Sequence, residues 1–372
     1  MNISRLTRRE WLGLGLGLPL AGCSSHVDRI ERGPLAIVLD SPPSAETGAA
    51  WGSAYARLLA ALSPAGRPQP IRLVPHVALP GADPRALLRK LAASDVRMVV
   101  CVGERFDAAL KDVARERAGQ RFTTLGGAIS APGVACYRPR EAETAWLAGY
   151  LATRLTGGRP VAFQMPREGA GLRAETAEGS ERPVAARRLA AFSSGARRAD
   201  SAVDIRVMDA DLSPAALVSR LEQDGVSCVH ASLDSRSAPV AAAFAARPLR
   251  LIAHECGEGM VTQTRPIGPA ETTLTAPRGA PGGSDPIIAT MTPNPPWLVG
   301  RACTDPSVLL ERLLADIFDG VWRAGLERSF GLRQPALLRL EVAQAIDAAL
   351  LAELETAAFD IRAGRIRVEG NR

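Results

Sequence analysis

Short apolar runs alternate with amphipathic segments along most of the sequence, and this alternation constrains the fold more than any other feature. The runs at 34–40 and 96–102 are continuous and rich in Val, Ile and Leu, which predicts buried strands. Helical patterns follow such runs, for example at 83–93, where Asp83 and then Pro84 give a helix start signal. Buried strands separated by such helices are typical of parallel sheets that helices cover on both faces.

The alternation occurs in two successive runs, which predicts two doubly wound α/β lobes rather than one. The chain has 372 residues, whereas single hydrophobic cores stop growing at roughly 250–300 residues. Two stretches interrupt the pattern. Residues 167–183 are polar and Gly-rich, which predicts a surface loop, and residues 259–285 are rich in Gly, Pro and Thr without an apolar period. The second stretch is either an insertion or a functional lid.

The N-terminus has the composition of an export signal. A basic head with Arg5, Arg8 and Arg9 precedes an apolar run over 11–21, which is shorter than the roughly 20 residues that a membrane-spanning helix needs. The residues that follow, Leu-Ala-Gly and then Cys23, resemble the lipobox of bacterial lipoproteins. The stretch Thr-Arg-Arg-Glu-Trp-Leu also resembles a twin-arginine export signal.

These resemblances imply a signal peptide over 1–22, a lipid such as palmitate on Cys23 and a tether over 23–33. The protein is then expected to be anchored to a membrane of the cell envelope and to face the periplasm or the cell exterior. The alternative interpretation is a chance cysteine in an ordinary N-terminal anchor helix. Beyond the signal there is no run of about 18 apolar residues, so the mature chain is not expected to span a membrane.

Composition and motifs argue against several functional classes. The net charge is only +6 and no basic block or basic–aromatic stripe occurs, so nucleic acid is not an expected partner. Four His, and six Cys without a C-x-x-C pair, give no zinc spacing. We therefore expect no metal and no cofactor. The compartment permits a disulfide, but export in the folded state argues against one on which the fold depends, so we expect free thiols. The motifs G-x-S-x-G and H-E-x-x-H and the Walker loop are absent from the sequence, so an enzyme is not expected.

Three segments resemble the basic membrane protein family of substrate-binding lipoproteins. Residues 96–114 combine an apolar strand, Val-Gly, an aromatic residue and Ala-Leu-Lys-Asp-Val-Ala. Residues 133–152 run from a short strand through Arg-Glu into Leu-Ala-Gly-Tyr-Leu-Ala, and residues 190–199 contain Ser-Gly-Ala-Arg. The resemblance covers nearly the whole mature chain and is weakest over 256–305. Since most of these residues are scaffold residues, it is more specific for the fold than for the ligand.

The resemblance implies a type I periplasmic-binding fold, in which three crossovers join two α/β lobes. Transferred to this chain, lobe 1 comprises 34–138 and 286–326, and lobe 2 comprises 139–257 and 327–372. The ligand is expected between the lobes, at the carboxyl ends of the strands, and closure of the lobes is expected to bury it. The best-known members of the family bind purine nucleosides and deliver them to a membrane transporter.

Four residues of lobe 1 are candidate ligand contacts. Asp40 ends the first strand, where a carboxylate either accepts hydrogen bonds from a ligand or caps a loop. Trp51 stands near the family's stacking Phe, and either stacks on a flat ligand or packs within its own lobe. Phe106 belongs to the aromatic loop after the third strand, and Asp107 falls one place before the family's base-binding Asp. A helix-capping or first-turn role for Asp107 is equally open.

Three further candidates belong to the second half of the chain. Asp234 closes the strand at 228–233, where the family has small glycines. Glu255 replaces the acids that hold the ribose in the family, beside His254, which is either a titrating contact or a structural donor. Asn294 lies in a stretch that lacks the family's Lys. Because the scaffold is retained while most ligand-contacting positions differ, we expect a ligand other than a standard purine nucleoside.

Two functional hypotheses follow. The first is a monomeric, lipid-anchored solute-binding protein of an ABC importer, which takes a small ligand, nucleoside-like or other, and passes it to a permease. The second is an envelope sensor or regulatory lipoprotein that uses the same fold to contact another protein. The poor match to the family at the cleft favours the second hypothesis, whereas the agreement of the scaffold favours the first.

Overall fold

The computed structural model describes residues 34–39, 73–78, 82–103, 106–129, 131–165, 184–209, 212–232, 238–245, 247–256, 286–291 and 295–368. Several sequence predictions concern residues outside these ranges. They are the signal, Cys23 and the tether, Asp40, Trp51, the loop at 167–183, Asp234, Asn294, and the segment 259–285.

The described residues form thirteen strands and eight helices. The strands are β1 (Leu35–Leu39), β2 (Leu73–Val77), β3 (Met98–Val102), β4 (Arg121–Leu125), β5 (Val134–Pro139), β6 (Val161–Gln164), β7 (Ile205–Met208), β8 (Cys228–Ala231), β9 (Arg250–Cys256), β10 (Ile288–Met291), β11 (Leu298–Thr304), β12 (Glu327–Phe330) and β13 (Leu338–Ala343). The helices are α1 (Pro84–Ala92), α2 (Asp107–Glu116), α3 (Glu141–Thr156), α4 (Val184–Ala199), α5 (Pro214–Gln223), α6 (Ala238–Ala245), α7 (Pro306–Phe318) and α8 (Ala348–Arg362).

Sheet 1 has six strands in the order β12-β5-β4-β3-β1-β2, and all neighbouring pairs are parallel. Every residue of β3 is buried, as expected for a central strand whose two faces are both covered. Helices α1, α2 and α7 pack against this sheet. Sheet 1 and these three helices form the described part of lobe 1.

Sheet 2 has seven strands in the order β10-β13-β11-β9-β8-β6-β7, and with helices α3 to α6 and α8 it makes up lobe 2. Its neighbouring strands are parallel except β11 and β13, so β10 and β13 run opposite to the other five. The prediction of purely parallel sheets is wrong at this edge. Strand β13 enters sheet 2 directly from lobe 1, so no helical crossover fixes it parallel to β11.

Three connections join the lobes, at 139–141, 304–306 and 330–338, which confirms the predicted two-lobed α/β architecture. The predicted division of the chain between the lobes needs correction. Strands β10 and β11 lie in sheet 2, although 286–326 was assigned to lobe 1, and β12 lies in sheet 1, although 327–372 was assigned to lobe 2. A local apolar pattern identifies a strand but not its pairing partner, which is distant in the sequence.

The helix boundaries follow local signals. The Asp83 carboxylate accepts a hydrogen bond from the Arg85 amide at 2.9 Å, so it caps α1 as its sequence predicts. Helix α7 ends at Phe318. Gly320 adopts a positive φ of 66°, and this left-handed conformation terminates helices.

Helices α3 and α4 cross at very short range through two glycines. A Cβ atom on Gly149 would collide with the carbonyl oxygen of Phe192, and one on Gly195 would collide with the carbonyl oxygen of Trp146. Only glycine allows the backbones to approach so closely. Both glycines lie in segments that carry the family resemblance, so those segments encode this crossing.

Four described cysteines, Cys101, Cys136, Cys228 and Cys303, are buried, and these four take part in no disulfide. Burial raises the pKa of the Cys228 thiol to about 12. Because the thiolate is the reactive form, such a cysteine behaves as a small apolar core residue.

Candidate functional site

The carboxyl ends of the parallel strands lie at the junction of the lobes. Strand β5 ends at Pro139, β11 at Thr304 and β12 at Phe330, and each of these residues leads directly into one of the three connections. In open α/β sheets, ligands bind outside this edge. Polar groups that follow these strand ends are therefore candidate ligand contacts.

Asp107 lies at this edge in lobe 1, in the first turn of α2. Its carboxylate accepts a hydrogen bond from the Ala128 amide at 2.7 Å and another from the Thr124 hydroxyl at 3.4 Å. A Cβ atom on Gly127 would collide with both Asp107 and Thr124, so glycine is needed for this approach. The carboxylate thus anchors the loop that follows β4.

Burial raises the pKa of Asp107 to about 6, against the opposing effect of the hydrogen bonds from Ala128 and Thr124. The group is therefore close to its titration point near neutral pH, which is unusual for a carboxyl group. Perturbed carboxyl groups in clefts are candidate functional groups, although structural networks produce them too.

Phe106, the neighbouring candidate, is fully buried in the apolar cluster of lobe 1 that also contains Leu88, Leu110 and Phe122. This position gives the Phe106 ring a packing role beneath the edge of the sheet. A contact between Phe106 and a ligand stays a prediction.

Glu255 lies near the carboxyl end of β9, where its backbone pairs with Cys303 of β11. Its side chain is outside the described part of the chain, so a ligand contact by Glu255 also stays a prediction. The preceding His254 is buried, and its Nε2 atom lies 3.7 Å from Oε2 of Glu141. His254 meets the ring of His230 edge-on, with 5.9 Å between the centroids.

A polar cluster around Glu141 joins several elements where the lobes meet. Glu141 is the first residue of α3, and its carboxylate accepts a hydrogen bond from the Thr304 hydroxyl at 3.4 Å. Arg188 of α4 places Nη1 3.4 Å from the same carboxylate and donates from Nη2 to the Ser232 hydroxyl at 2.9 Å. The cluster therefore connects α3, α4, the end of β11 and the residue after β8.

The two histidines beside this cluster are held neutral. Burial lowers the pKa of His230 to about 3, with a further contribution from the positive charge of Arg188. Burial and Arg188 also lower the pKa of His254 well below its usual value. His230 Nδ1 lies 3.1 Å from the carbonyl oxygen of Ile252, so His230 has the environment of a structural residue.

Next to Glu141 a small pocket of about 40 Å³ opens between the lobes. Its polar lining consists of Arg138, Arg140, Glu141, Arg187, Arg188 and Ser329. Arg138 and Ser329 belong to sheet 1, and Arg138 Nε donates to the Ser329 hydroxyl at 3.0 Å. The pocket thus combines residues of both lobes with the connection between them.

Sequence reasoning missed Glu141 and Arg188. Both stand in helical segments, whereas the sequence pattern directs attention to residues at strand ends. One signal was present, because Arg188 interrupts an otherwise small and apolar helix face at the position that α4 buries. An arginine on a buried face is rare unless it is paired.

Within the described ranges, no group of three or more His, Cys, Asp or Glu is arranged to hold a metal ion. Among the helices of the same ranges, none has the length and apolar character needed to cross a membrane.

The family comparison decides the class of protein. The model of the Bmp family, described as "ABC transporter substrate-binding protein PnrA-like", matches residues 61–247, half of the chain. The chain belongs to the Bmp family. A comparison with curated protein sequences gives no match.

Solved structures similar to this Bmp-family chain agree in fold. A solute-binding protein of an ABC transporter system from Aeropyrum pernix K1 has a TM-score of 0.58 at 14% identity, covering 91% of this chain and 94% of its own. A solute-binding protein from Conexibacter woesei DSM 14684 has a TM-score of 0.54 at 17% identity, and the match covers 90% of this chain and 97% of that protein. A transcriptional activator of the comK gene from Bacillus halodurans has a TM-score of 0.56 at 11% identity, and the match covers 89% of this chain and 99% of that protein. At these identities the likeness shows the fold alone.

Membership of the Bmp family gives the chain an extracytoplasmic ABC solute-binding role. The family implies a small-molecule ligand and a transporter permease as partners. The family is one of substrate-binding proteins.

Proposed function

We propose that this Bmp-family protein is a lipid-anchored importer subunit that holds a small polar solute between its two lobes and passes it to an ABC permease. The observation that carries the proposal is that side chains of both lobes bring charged groups to the carboxyl ends of the two sheets. Asp107 does so in lobe 1, and Glu141 and Arg188 do so in lobe 2.

These three groups offer complementary chemistry to a polar ligand. The carboxylates of Asp107 and Glu141 accept hydrogen bonds from hydroxyl or N–H groups, and charge makes such bonds stronger than neutral ones. Arg188 supplies donors in a planar array. Asp40, Trp51, Phe106, Asp234, Glu255 and Asn294 are proposed as additional contacts on the basis of the sequence.

Ligand binding is proposed to close the lobes about the three connections. All three are short, and two of them meet where the Arg140 amide donates to the carbonyl oxygen of Phe330 at 2.7 Å. Hinges of binding proteins consist of a few residues of this kind at the ends of elements. A ligand that touches both lobes favours the closed state in proportion to its preference for that state.

Thermal unfolding with a panel of nucleosides, bases, sugars and amino acids tests the proposal. A solute at about 100 times its Kd stabilises the folded state by roughly 2.7 kcal/mol, so we expect a clear rise in Tm for at least one class. Asp107→Asn is expected to reduce that rise. Asp95→Asn is the matched control, because Asp95 is exposed and precedes β3 at the opposite edge of sheet 1.

Failure of every solute to raise the Tm of the wild-type protein would contradict the import role and favour the regulatory lipoprotein. An equal loss of response in Asp95→Asn would show that the effect of Asp107→Asn is not specific to the site.

The lipid anchor is tested separately. Cys23→Ala is expected to move the protein from the membrane fraction to the soluble envelope fraction and to abolish labelling by a palmitate analogue, because the acylated thiol is lost. Cys101→Ala, in the middle of sheet 1, should leave both properties unchanged. Retention of Cys23→Ala in the membrane would contradict the anchor.

A further inference from the structure

Among the described residues, those that line the pocket between the lobes carry an excess of positive charge. Four guanidinium groups line it, those of Arg138, Arg140, Arg187 and Arg188, against the single carboxylate of Glu141. A second carboxylate, that of Glu143, lies nearby, with Oε1 3.6 Å from Nη1 of Arg140. Even when Glu143 is counted, the cations among these described residues outnumber the anions by two.

Arg188 is the most deeply placed of the four arginines, at 7% exposure. Its ion pair with Glu141 is long, at 3.4 Å, whereas charge-assisted N–H···O bonds are usually about 2.7–2.9 Å. Glu141 also accepts from Thr304 and lies near His254. Within the described part of the chain, Nε of Arg188 makes no hydrogen bond. A buried guanidinium with a weak counter-ion and an unused donor can hold a further acceptor.

The amino end of α3 contributes to the same pocket. Arg140, Glu141 and Ala142 begin this helix and line the pocket. The N-cap residue, Arg140, makes no side-chain hydrogen bond to the first turn, since arginine has no acceptor. The amide groups and dipole at such a helix end favour an anion.

From these observations we infer that the pocket binds an oxyanion, a carboxylate or phosphate group, through Arg188 and its neighbouring arginines. The inference rests on the proposed function in one respect, because it makes the anionic group a part of the solute that the lobes enclose. A free inorganic anion offers the same chemistry. The pocket has room for a single small group, so the remainder of a solute would extend along the junction towards the carboxyl edges of the sheets.

Melting curves at constant ionic strength, with sodium chloride as the balance, test the inference. The probes are inorganic phosphate, acetate, and a matched pair of a nucleoside and its 5′-monophosphate. We expect anionic probes to raise Tm in the wild type. The concentration needed for half of the effect should increase by about tenfold or more in Arg188→Gln, since a hydrogen bond between charged groups is lost.

Because Arg188 is buried, Arg187→Gln provides a second variant at a half-buried position of the same pocket, and circular dichroism verifies that each variant folds. Arg159→Gln is the control, because Arg159 is exposed in the turn after α3, before β6 begins at the opposite edge of sheet 2. The control should respond to every probe like the wild type.

A larger effect of the monophosphate than of the nucleoside would support a group carried by the solute, and an equal effect of phosphate alone would support a free anion.

No response to any anionic probe would overturn the inference, as would equal responses of Arg187→Gln, Arg188→Gln and Arg159→Gln. If neutral solutes stabilise the protein and anionic ones do not, the inference fails while the solute-binding proposal stands. If phosphate stabilises the protein and no other solute does, the anion site stands while the solute-binding proposal fails.

Discussion

Two titratable residues on opposite lobes, the half-buried Asp107 and the buried His230, respond to pH in opposite directions. Asp107 has a folded-state pKa raised to about 6, and His230 has one lowered to about 3, and burial is the first cause of both. In each case the neutral form suits the protein interior. The consequences for stability differ, because Asp107 is neutral when protonated and His230 is neutral when deprotonated.

For Asp107, the folded state binds its proton more tightly than the unfolded state, so this group's contribution to stability is present below about pH 4 and is lost as pH rises through about 6. Asp107→Asn keeps an acceptor for the Ala128 amide but cannot ionise. We expect it to raise the free energy of unfolding at pH 8 by roughly 1–2 kcal/mol and to have little effect at pH 4. Urea unfolding without ligand measures this, and destabilisation by the variant at pH 8 would show that the charge itself supports the fold.

For His230, the unfolded state takes up the proton first. The contribution to stability is complete above about pH 6.5 and is lost as pH falls towards 3. His230→Gln retains a donor for the carbonyl of Ile252 but does not titrate, so its stability should decline less steeply between pH 6.5 and 4. His76→Gln, at a half-buried position on β2 where burial lowers the histidine pKa as well, should flatten the profile less, because His76 keeps part of its contact with solvent. Parallel pH profiles of all three proteins, measured by urea unfolding, would contradict this expectation.

At the scale of elements, the crossing of α3 and α4 is the tightest contact between helices described above. It explains why the resemblance to the family was clearest in segments that touch no expected ligand. Gly149 and Gly195 come from two of those segments, and each faces backbone of the other helix. The two glycines thus encode the close crossing of α3 and α4. Both helices begin beside the pocket at the junction of the lobes.

Gly149→Ala and Gly195→Ala are each expected to lower the free energy of unfolding by about 1–3 kcal/mol or more, because the added methyl group forces the backbones apart. The expected decrease exceeds the small gain in helix propensity from Gly to Ala, about 1 kcal/mol. Gly119→Ala is the control, since a Cβ atom there meets nothing within 4 Å. Equal stability of all three variants in chemical denaturation would show that the helices separate easily.

Local patterns predicted the strands and helices well and their pairing less well. Asp83 and the apolar run of β3 carry enough information to place a helix start and a buried strand. The lobe that receives β10, β11 or β12 depends on hydrogen bonds with strands far away in the chain, and no local pattern specifies them. The same holds for the candidate site. Glu141 and Arg188 form a polar cluster only because α3 and α4 pack together, and no local pattern predicts that contact.

At the scale of the whole molecule, Glu143 ties two of the three connections between the lobes. Its carboxylate is buried and accepts a hydrogen bond at 2.7 Å from the amide of Leu332, in the third connection. It also lies near Arg140 in the first connection. A Cβ atom on Gly331 would collide with this carboxylate, so the hinge is built around it.

Glu143→Ala is expected to lower the free energy of unfolding by about 1–3 kcal/mol, because the buried Leu332 amide loses its acceptor. Hydrogen exchange at Leu332 should increase as well. Glu353→Ala is the control, because the Glu353 pair with Arg154 is largely exposed and such pairs contribute only about 0–1 kcal/mol. Unchanged exchange at Leu332 would show that Glu143 does not hold the hinge.

The order in which the strands are joined has a consequence for biosynthesis. Strand β12, the outer neighbour of β5, follows nearly all of the strands of sheet 2 in the chain. Sheet 1 therefore cannot be completed until most of lobe 2 has been synthesised. A nascent chain exposes the free edge of β5 until residue 330 has emerged, and an exposed strand edge invites pairing with other chains. Protection of that edge within the native sheet thus comes only when translation is almost over.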